Sequence, residues 1–153
     1  LSQTAYSTDT RFGKAADFNE KIEQITGNPI IHTVFAAEPI GPKKLLDALI
    51  IAPATGNTLA KLANGITDTP VTLACKAHLR NERPVLLAVS TNDALGTAAK
   101  NIGLLMNAKH IYFVPMRQDD TKNKPNSVVA DFTQIVPALE AALEDRQIQP
   151  IYK

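Results

Sequence analysis

The chain has little of several things that mark well-known classes of protein. It has a single cysteine, Cys75, so no disulfide can form within the chain, and a reducing compartment such as the cytoplasm is expected. The apolar residues around Cys75 are typical of a core thiol without a chemical role. No apolar run approaches the roughly 20 residues that a membrane span needs. The net charge of +1 shows no excess of basic residues for binding nucleic acid.

Apolar runs typical of buried strands alternate along the chain with stretches of helical spacing. The strand-like runs cover residues 47–52, 84–89 and 110–114. Helical spacing covers residues 14–26, 57–64, 69–80, 93–107 and 127–146, the last with a break near Pro137. Loops are expected at residues 1–13 and 115–126, and an irregular segment with a short strand at Ile30–Ile31 is expected within residues 28–44. This order predicts one α/β domain, Rossmann-like or flavodoxin-like, with a parallel sheet and helices on both of its faces.

Polar residues follow each of the three predicted strands, at the end where open α/β sheets bind ligands. After the first strand the chain turns directly into a helix through Thr55, Gly56, Asn57 and Thr58. Free N–H groups at such a helix start can hold an anion or a carbonyl-rich ring. Asn57 or Thr58 would equally serve as a simple N-cap, so a ligand site and a structural cap both stay open here.

The other two strand ends carry polar side chains of a different kind. Ser90, Thr91 and Asn92 follow the second strand, where Asn92 or the next residue would also serve as a plain N-cap. Arg117 begins a polar loop after the third strand, and its guanidinium suits a carboxylate ligand, although a solvated loop is the alternative. The three histidines are too scattered for a metal site, and no catalytic residue can be assigned.

A family resemblance adds to these alternatives. Residues 52–68 read APATGNTLAKLANGITD. They resemble the Pro-Ala-Ser/Thr-Ala-Asn-Thr motif, with its following Lys-x-Ala-Asn-Gly-x-x-Asp, of the flavin-containing cysteine decarboxylases, a family that includes phosphopantothenoylcysteine decarboxylase. The resemblance implies that Thr55, Asn57 and Thr58 contact FMN or substrate. Lys61 would join them or would pair with a neighbouring acid.

The chain departs from this family where the family performs its chemistry. The family motif Pro-x-Met-Asn-x-x-Met-Trp corresponds to residues 89–96, where only Asn92 is kept. Pro39 stands at the position of the family's catalytic histidine, and His32 lies seven residues away. The resemblance therefore implies an inherited fold and pocket with a changed reaction.

The departures resemble one branch of the superfamily, the family of dipicolinate synthase B subunits. The similar segments are STDTRFG at 7–13, AEPIGPK at 37–43, STNDALG at 90–96, QDD at 118–120 and KPNS at 124–127. The resemblance implies a partner, the dipicolinate synthase A subunit, which looks like a nicotinamide-dependent dehydrogenase and brings NADP. Together the two proteins would make dipicolinate from a dihydrodipicolinate-type precursor in sporulation. An independent FMN-dependent decarboxylase of a cysteinyl substrate and a non-catalytic assembly protein remain as alternatives.

The resemblance also implies how the domain is completed and assembled. We expect one flavoprotein-like domain over residues 1–153 that lacks the family's first strand–helix unit, whose Gly/Ser turn would face the flavin phosphate. Ser7 is then the only local candidate for that phosphate. A homo-oligomer, a trimer or a multiple of one, is expected. The implied cofactor-binding residues are Ser7, Thr55, Gly56, Asn57, Thr58, Ser90, Thr91 and Asn92, and the implied substrate-binding residue is Arg117.

Overall fold

A computed structural model describes all of residues 1–153 as an α/β fold. The strands are β1 (Leu49–Ala54), β2 (Val85–Thr91), β3 (Ile111–Phe113), β4 (Met116–Arg117) and β5 (Val128–Ala130). The α-helices are α1 (Gln3–Ser7), α2 (Ala15–Thr26), α3 (Val34–Ala37), α4 (Gly56–Ala63), α5 (Pro70–Leu79), α6 (Ala99–Met106) and α7 (Ile135–Leu143). Two 3-10 helices cover Glu38–Ile40 and Phe132–Gln134. None of the helices combines the length and the hydrophobicity needed to span a lipid bilayer.

Strand β2 is the centre of a mixed sheet. It pairs in parallel with β1 on one side and with β3 on the other, as the alternation of strands and helices predicts. Its last two residues, Ser90 and Thr91, pair instead with β5, which runs antiparallel to β2 and also pairs with β4. The parallel part therefore carries a small antiparallel extension at the carboxyl end of β2.

The alternating side chains of β2 fill two cores. Val85, Leu87 and Val89 belong to the larger cluster, which also takes in Leu59 of α4 and Ile102 of α6. The intervening residues of β2 belong to a second cluster on the opposite face, built with α7 and β5. Successive residues of a strand point to opposite faces, so a run of five buried residues requires a helical layer on each side. The three-layer prediction is confirmed.

Several predicted boundaries are wrong in the N-terminal half of the chain. Residues 1–13 contain helix α1, with Ser2 as its N-cap, where a loop was expected. No strand forms at Ile30–Ile31, and the ordered structure of that segment is instead helix α3 and the 3-10 turn that follows it. Two apolar residues in a row are too few to distinguish a strand from an extended connection when no neighbouring strand is known.

Other errors lie around β5. Helical spacing was assigned to residues 127–146, but Val128–Ala130 forms a strand, because its alternating burial pairs it with β2 and β4. Pro137 does not break α7; it is the third helical residue, in the first turn, where an N–H would find no partner within the helix. Helix α6 begins at Ala99 rather than at 93, because Asp93 holds residues 93–98 in turns by accepting from the N–H of Thr97.

At Phe113 the outer edge of β3 is closed by one side chain, which we call the Gln147 clamp. The Gln147 carboxamide accepts from the Phe113 N–H and donates to the Phe113 carbonyl, each at 2.8 Å. Further along, Met116 N–H donates to the Ile151 carbonyl and Lys153 N–H donates to the Met116 carbonyl. The chain after α7 therefore covers backbone groups that a sixth strand would otherwise pair.

Burial of His78 makes the stability of this fold depend on pH. The side chain is 1% exposed, on α5, and its Nε2 lies 3.1 Å from the Pro84 carbonyl oxygen, to which the neutral ring donates. Desolvation lowers the pKa of His78 from its usual 6.5. The unfolded chain therefore takes up this proton at a higher pH than the folded chain does, and protonation favours unfolding.

We expect the free energy of unfolding to fall as the pH drops below about 6.5, by at most about 1.4 kcal/mol per pH unit from this residue. His78→Gln keeps a hydrogen-bond donor but removes the titrating ring, so it should flatten the slope. Urea unfolding at about pH 7.5, 6.5 and 5.5 measures it. His32→Gln, at a partly exposed histidine, is the matched control. Equal slopes for the His78→Gln and unaltered chains would contradict the assignment.

Candidate functional site

The turn from β1 into α4 leaves backbone donors free. Thr55 is the N-cap of α4, so neither residue named as a candidate cap, Asn57 or Thr58, has that role. The Thr55 Oγ1 accepts from the Thr58 N–H at 3.5 Å and lies 3.2 Å from the Thr58 Oγ1. The N–H groups of Gly56 and Asn57 have no acceptor within the chain. The helix start therefore presents two unused donors beside an exposed Asn57 side chain.

Gly56 brings this helix start against the end of β2. A Cβ at Gly56 would lie 2.8 Å from the Thr91 Oγ1, a distance that side chains do not tolerate. The parallel register pairs Ala54 with Val89, so both strands end at the same edge of the sheet. The sequence prediction that the two polar strand ends belong together is consistent with this packing.

The end of β2 is tied to the loop between β4 and β5. The Asn92 Oδ1 accepts from the Ser127 Oγ at 3.4 Å, and Ser127 is only 3% exposed. The Thr91 Oγ1 accepts from the Asp93 N–H at 3.4 Å. Ser127 was not among the predicted site residues, although it closes the KPNS segment. Its contact with Asn92 joins residues that are 35 apart in the chain, which sequence spacing does not reveal.

The same loop places ionised carboxylates beside this edge. The Ser127 hydroxyl, whose single proton Asp119 and the Asn92 Oδ1 share, and, more weakly, the neighbouring Lys124 lower the pKa of Asp119. Hydrogen bonds from Asn123 lower the pKa of Asp120. Both carboxylates are therefore charged at neutral pH. The loop is a folded turn, because Asp120 also accepts from the backbone of Asn123 at 3.0 Å.

Arg117, on β4, is separated from the end of β2 by strand β5. Directly opposed residues pair Ser90 with Val129 and Val129 with Arg117, so these three form a row across the sheet on one face. Thr91, the next residue of β2, points to the other face, toward Gly56. Arg117 is exposed and forms no ion pair. It is placed to meet a ligand that extends from Ser90, not one confined to the α4 side.

Ser7 is not joined to these residues. Its hydroxyl donates to the Gln3 carbonyl within α1, at 2.9 Å. A cavity of about 390 Å³ along the exposed edge of β1 does reach Thr55 and Thr58, but the N-terminal segment contributes Leu1, Ser2 and Ala5 to its wall rather than Ser7. The structure thus brings together the predicted residues of the first two strand ends and leaves Ser7 apart from them.

Two other residues considered from the sequence have structural roles. The Lys61 Nζ lies 2.8 Å and 2.9 Å from the two carboxylate oxygens of Asp68, which is the pairing alternative given for this lysine, and the bond lowers the pKa of Asp68. Cys75 is fully buried, and desolvation raises the pKa of its thiol to about 12. It is an unreactive core thiol, as its apolar surroundings indicate. No three histidine, cysteine or acidic side chains converge as a metal site would require.

Comparison with known sequences finds similarity over nearly the whole chain. The family model described as Flavoprotein matches residues 6–142. The dipicolinate synthase B subunit of Bacillus subtilis (strain 168) is 51% identical over 145 residues, which are 95% of this chain and 72% of that protein. A more distant similarity, 30% identity over 82 residues, relates 48% of this chain to 19% of the coenzyme A biosynthesis bifunctional protein CoaBC of Thermococcus kodakarensis (strain ATCC BAA-918 / JCM 12380 / KOD1).

Solved structures are similar to this chain as well. The crystal structure of the dipicolinate synthase B subunit from Bacillus halodurans C matches with a TM-score of 0.89 and 49% identity, over 95% of this chain and 75% of that one. The FMN-dependent cysteine decarboxylase SpaF matches with a TM-score of 0.59 and 26% identity, over 83% of this chain and 70% of that one. The flavodoxin-like fold with a mixed sheet is therefore shared with flavoproteins.

The contact between Gly56 and Thr91 yields a prediction about stability. Gly56→Ala should lower the free energy of unfolding by about 1–3 kcal/mol, because the new methyl group overlaps the Thr91 Oγ1. Thr91→Ala removes that atom, so the double variant Gly56→Ala/Thr91→Ala should recover part of the loss. Denaturant unfolding measures all three variants.

The control for this prediction is Gly103→Ala in α6. A Cβ there meets nothing within 4 Å, so the replacement should leave stability unchanged or raise it by about 0.5–1 kcal/mol through helix propensity. If Gly56→Ala behaves like Gly103→Ala, the close approach of the two strand ends is not a constraint on the sequence.

Proposed function

We propose a function for this chain from the family to which it belongs: it is a member of the flavoprotein family and, within it, of the family of dipicolinate synthase B subunits. The chain acts as the B component of a dipicolinate synthase, an oxidoreductase-type enzyme. The observation that carries this proposal is the 51% identity over 95% of the chain, which includes both polar strand ends. The packing of Gly56 against Thr91, which brings the two polar strand ends together, supports the proposal.

The strand-end residues fit the ring system of FMN better than its phosphate. The site offers the free N–H groups of Gly56 and Asn57 and the side-chain amides of Asn57 and Asn92. The edge of a flavin ring carries both hydrogen-bond donors and acceptors, which these groups can pair. No lysine or arginine belongs to this cluster, and Ser7 already donates within α1. When bound, a flavin would supply redox chemistry. The residues of this chain would hold and orient the ring.

The neighbouring loop suits a substrate with carboxylates. Arg117 is exposed and without an ion pair, so its guanidinium is free to bind a carboxylate through two parallel hydrogen bonds. Asp119 and Asp120 stay ionised on the same loop. They would disfavour orientations of a dianionic substrate that bring its carboxylates close to them rather than to Arg117. A ring dicarboxylate of the dihydrodipicolinate type would lie between Arg117 and the amide of Asn92, which Ser127 positions.

In this proposal the chain acts as part of a complex with a second protein. Its partner, the dipicolinate synthase A subunit, is dehydrogenase-like and brings NADP; we call it the dehydrogenase partner. The two proteins form dipicolinate during sporulation. The chain also associates with itself, as a trimer or a multiple of one. Support for self-association comes from large apolar side chains left exposed near the N-terminus: Phe12 and Ile25 are each 75% exposed, and Phe35 is 83% exposed.

An independent FMN-dependent decarboxylase of a cysteinyl substrate is the second candidate, favoured by the similarity to SpaF. The arrangement of histidines argues against it. Pro39, within a 3-10 turn, has no side chain that can act as an acid or a base, and His32 is stacked on the Tyr6 ring at 3.6 Å. His78 is buried on α5 with its Nε2 against the Pro84 carbonyl, before β2 begins, and His110 precedes β3. No histidine therefore lies at the carboxyl ends of the strands. Release of CO2 from a cysteine-ended substrate by this chain alone would favour the decarboxylase instead.

The central test is dipicolinate formation by the purified dehydrogenase partner and NADP, with and without this chain and with and without FMN. We expect formation to require the chain and to rise with FMN. Asn57→Ala/Asn92→Ala should lower kcat/KM by about 10- to 100-fold, because two oriented amides are lost, while the complex still forms on size exclusion.

Asn107→Ala/Gln149→Ala, which removes two exposed amides elsewhere, is the matched control and should keep full activity. Full activity of the Asn57→Ala/Asn92→Ala variant would instead identify the chain as a non-catalytic assembly protein. A rate that does not depend on the chain at all would remove the basis of the proposal.

Arg117 gives a separate prediction about substrate affinity. Arg117→Ala should raise KM for the precursor by about tenfold or more with a smaller change in kcat, because a charged anchor distant from the reacting atoms is lost. Arg117→Lys should recover only part of the affinity, since an ammonium group cannot make the two parallel bonds. Steady-state kinetics of the assembled enzyme measure both, and an unchanged KM in Arg117→Ala would exclude the role.

A further inference from the structure

A second concave surface lies away from the strand ends, between α5 and the segment before β1. It is a cavity of about 470 Å³, and we call it the cationic groove. Lys43 projects from the segment after the 3-10 turn, Lys76 from α5 and Arg80 from the C-cap of α5. Glu38 is the one carboxylate among its lining residues. The cationic groove shares no residue with the strand-end cluster or with the cavity along β1.

The three cations of the groove are not neutralised by the chain itself. Lys43, Lys76 and Arg80 are exposed, and none lies within ion-pair distance of an acidic side chain. The whole chain carries a net charge of only +1, so this concentration of positive charge is local. Lys76 and Arg80 are one turn apart near the end of α5, where cations also stabilise the helix dipole. Lys43 is outside the helix, so that explanation does not cover it.

The groove is held in shape by close packing. A Cβ at Gly41 would lie 2.8 Å from the Ala77 Cβ, so the segment carrying Lys43 is pressed against α5. The Asn81 Nδ2 donates to the Gly41 carbonyl at 2.9 Å. Ala37, Ile40 and Ala74 form a small core directly beneath. A surface that is already ordered loses less entropy when a partner binds.

Apolar and cationic parts are combined in this groove. Leu73 and Ala77 form part of its lining, and Pro39 and Pro42 stand at its side. An apolar centre with a charged rim is the composition of protein–protein contacts, in which complementary charge guides association. Nucleic acid would be expected to need a longer run of cations, and single strands would need aromatic stacking, which this lining does not offer.

We propose that the cationic groove docks an acidic, partly apolar segment of the dehydrogenase partner. This inference rests on the proposed function, since it supplies the surface by which the chain joins that partner. Carboxylates of the segment meet Lys43, Lys76 and Arg80, and one of its apolar side chains covers Leu73 and Ala77. The docking surface and the strand-end site are then separate, so binding of the partner leaves the site open to its ligand.

The test is the affinity of the chain for the purified dehydrogenase partner, measured by biolayer interferometry at low and moderate salt. Lys43→Glu/Lys76→Glu/Arg80→Glu should weaken binding by about tenfold or more, and should slow association most at low salt. Lys43→Glu alone should weaken binding measurably. Because Lys43 lies outside α5, this variant should leave the melting temperature of the chain unchanged. The matched control is Lys21→Glu/Lys100→Glu/Lys109→Glu, which makes the same change of charge at three exposed lysines outside the groove.

The outcomes separate this inference from the proposed function. Weakened binding in the groove variant with a control within about twofold of the unaltered chain supports the docking surface. Equal effects in both triple variants, or in neither, overturn it, while dipicolinate formation by the unaltered complex keeps the proposed function. Tighter binding of a DNA duplex than of the dehydrogenase partner, lost in the groove variant, overturns it in favour of nucleic acid. Failure of the unaltered chain to bind that partner or to support the reaction overturns both.

Discussion

The complete exclusion of water from the middle of β2 is the constraint on which the other features depend. Five consecutive residues, Val85–Val89, have no exposed surface. Each fully buried side chain of this type favours folding by about 1.5–3 kcal/mol, but only if both faces of the strand are covered. Helices α4, α5 and α6 must therefore lie on one face and α7 on the other. The position of the candidate site follows from the same arrangement, because covering both faces of a parallel sheet leaves the carboxyl ends of its strands as the open side.

The parts of the fold that could be predicted are those whose signal is local. The apolar runs of β1 and β2 and the spacing of α2 are legible within a dozen residues, and Gly27 ends α2 in the left-handed conformation. Strand β5 could not be found in this way, since Val128 and Val129 become a strand by pairing with Thr91 and Ser90, nearly forty residues earlier, and with β4. The start of α6 was missed because Asp93 satisfies the backbone of the turn, which no periodicity reveals.

In the candidate site, too, the residues with a local signal could be predicted and those defined by distant contacts could not. The residues at the ends of β1 and β2 could be grouped from the sequence, because parallel strands joined by a helix end at one edge. The sequence could not show whether Asn57 and Thr58 cap the helix or bind a ligand. The answer depended on which side-chain oxygen accepts from the N–H of Thr58, and that oxygen belongs to Thr55. Ser127 was passed over because its role consists of a single contact across the fold, to Asn92. The family resemblance supplied the chemistry that geometry alone does not specify.

The Gln147 clamp has a consequence for how copies of this protein behave at high concentration. An open strand edge offers a row of backbone donors and acceptors that any extended segment of another molecule can join. At Phe113 that row is interrupted, because the donor and the acceptor that point outward are already occupied by one carboxamide. A side chain, unlike a strand, presents no further backbone row on its far side. At Phe113 the row therefore ends without a new edge beyond it, and a single residue discourages intermolecular strand exchange at that point.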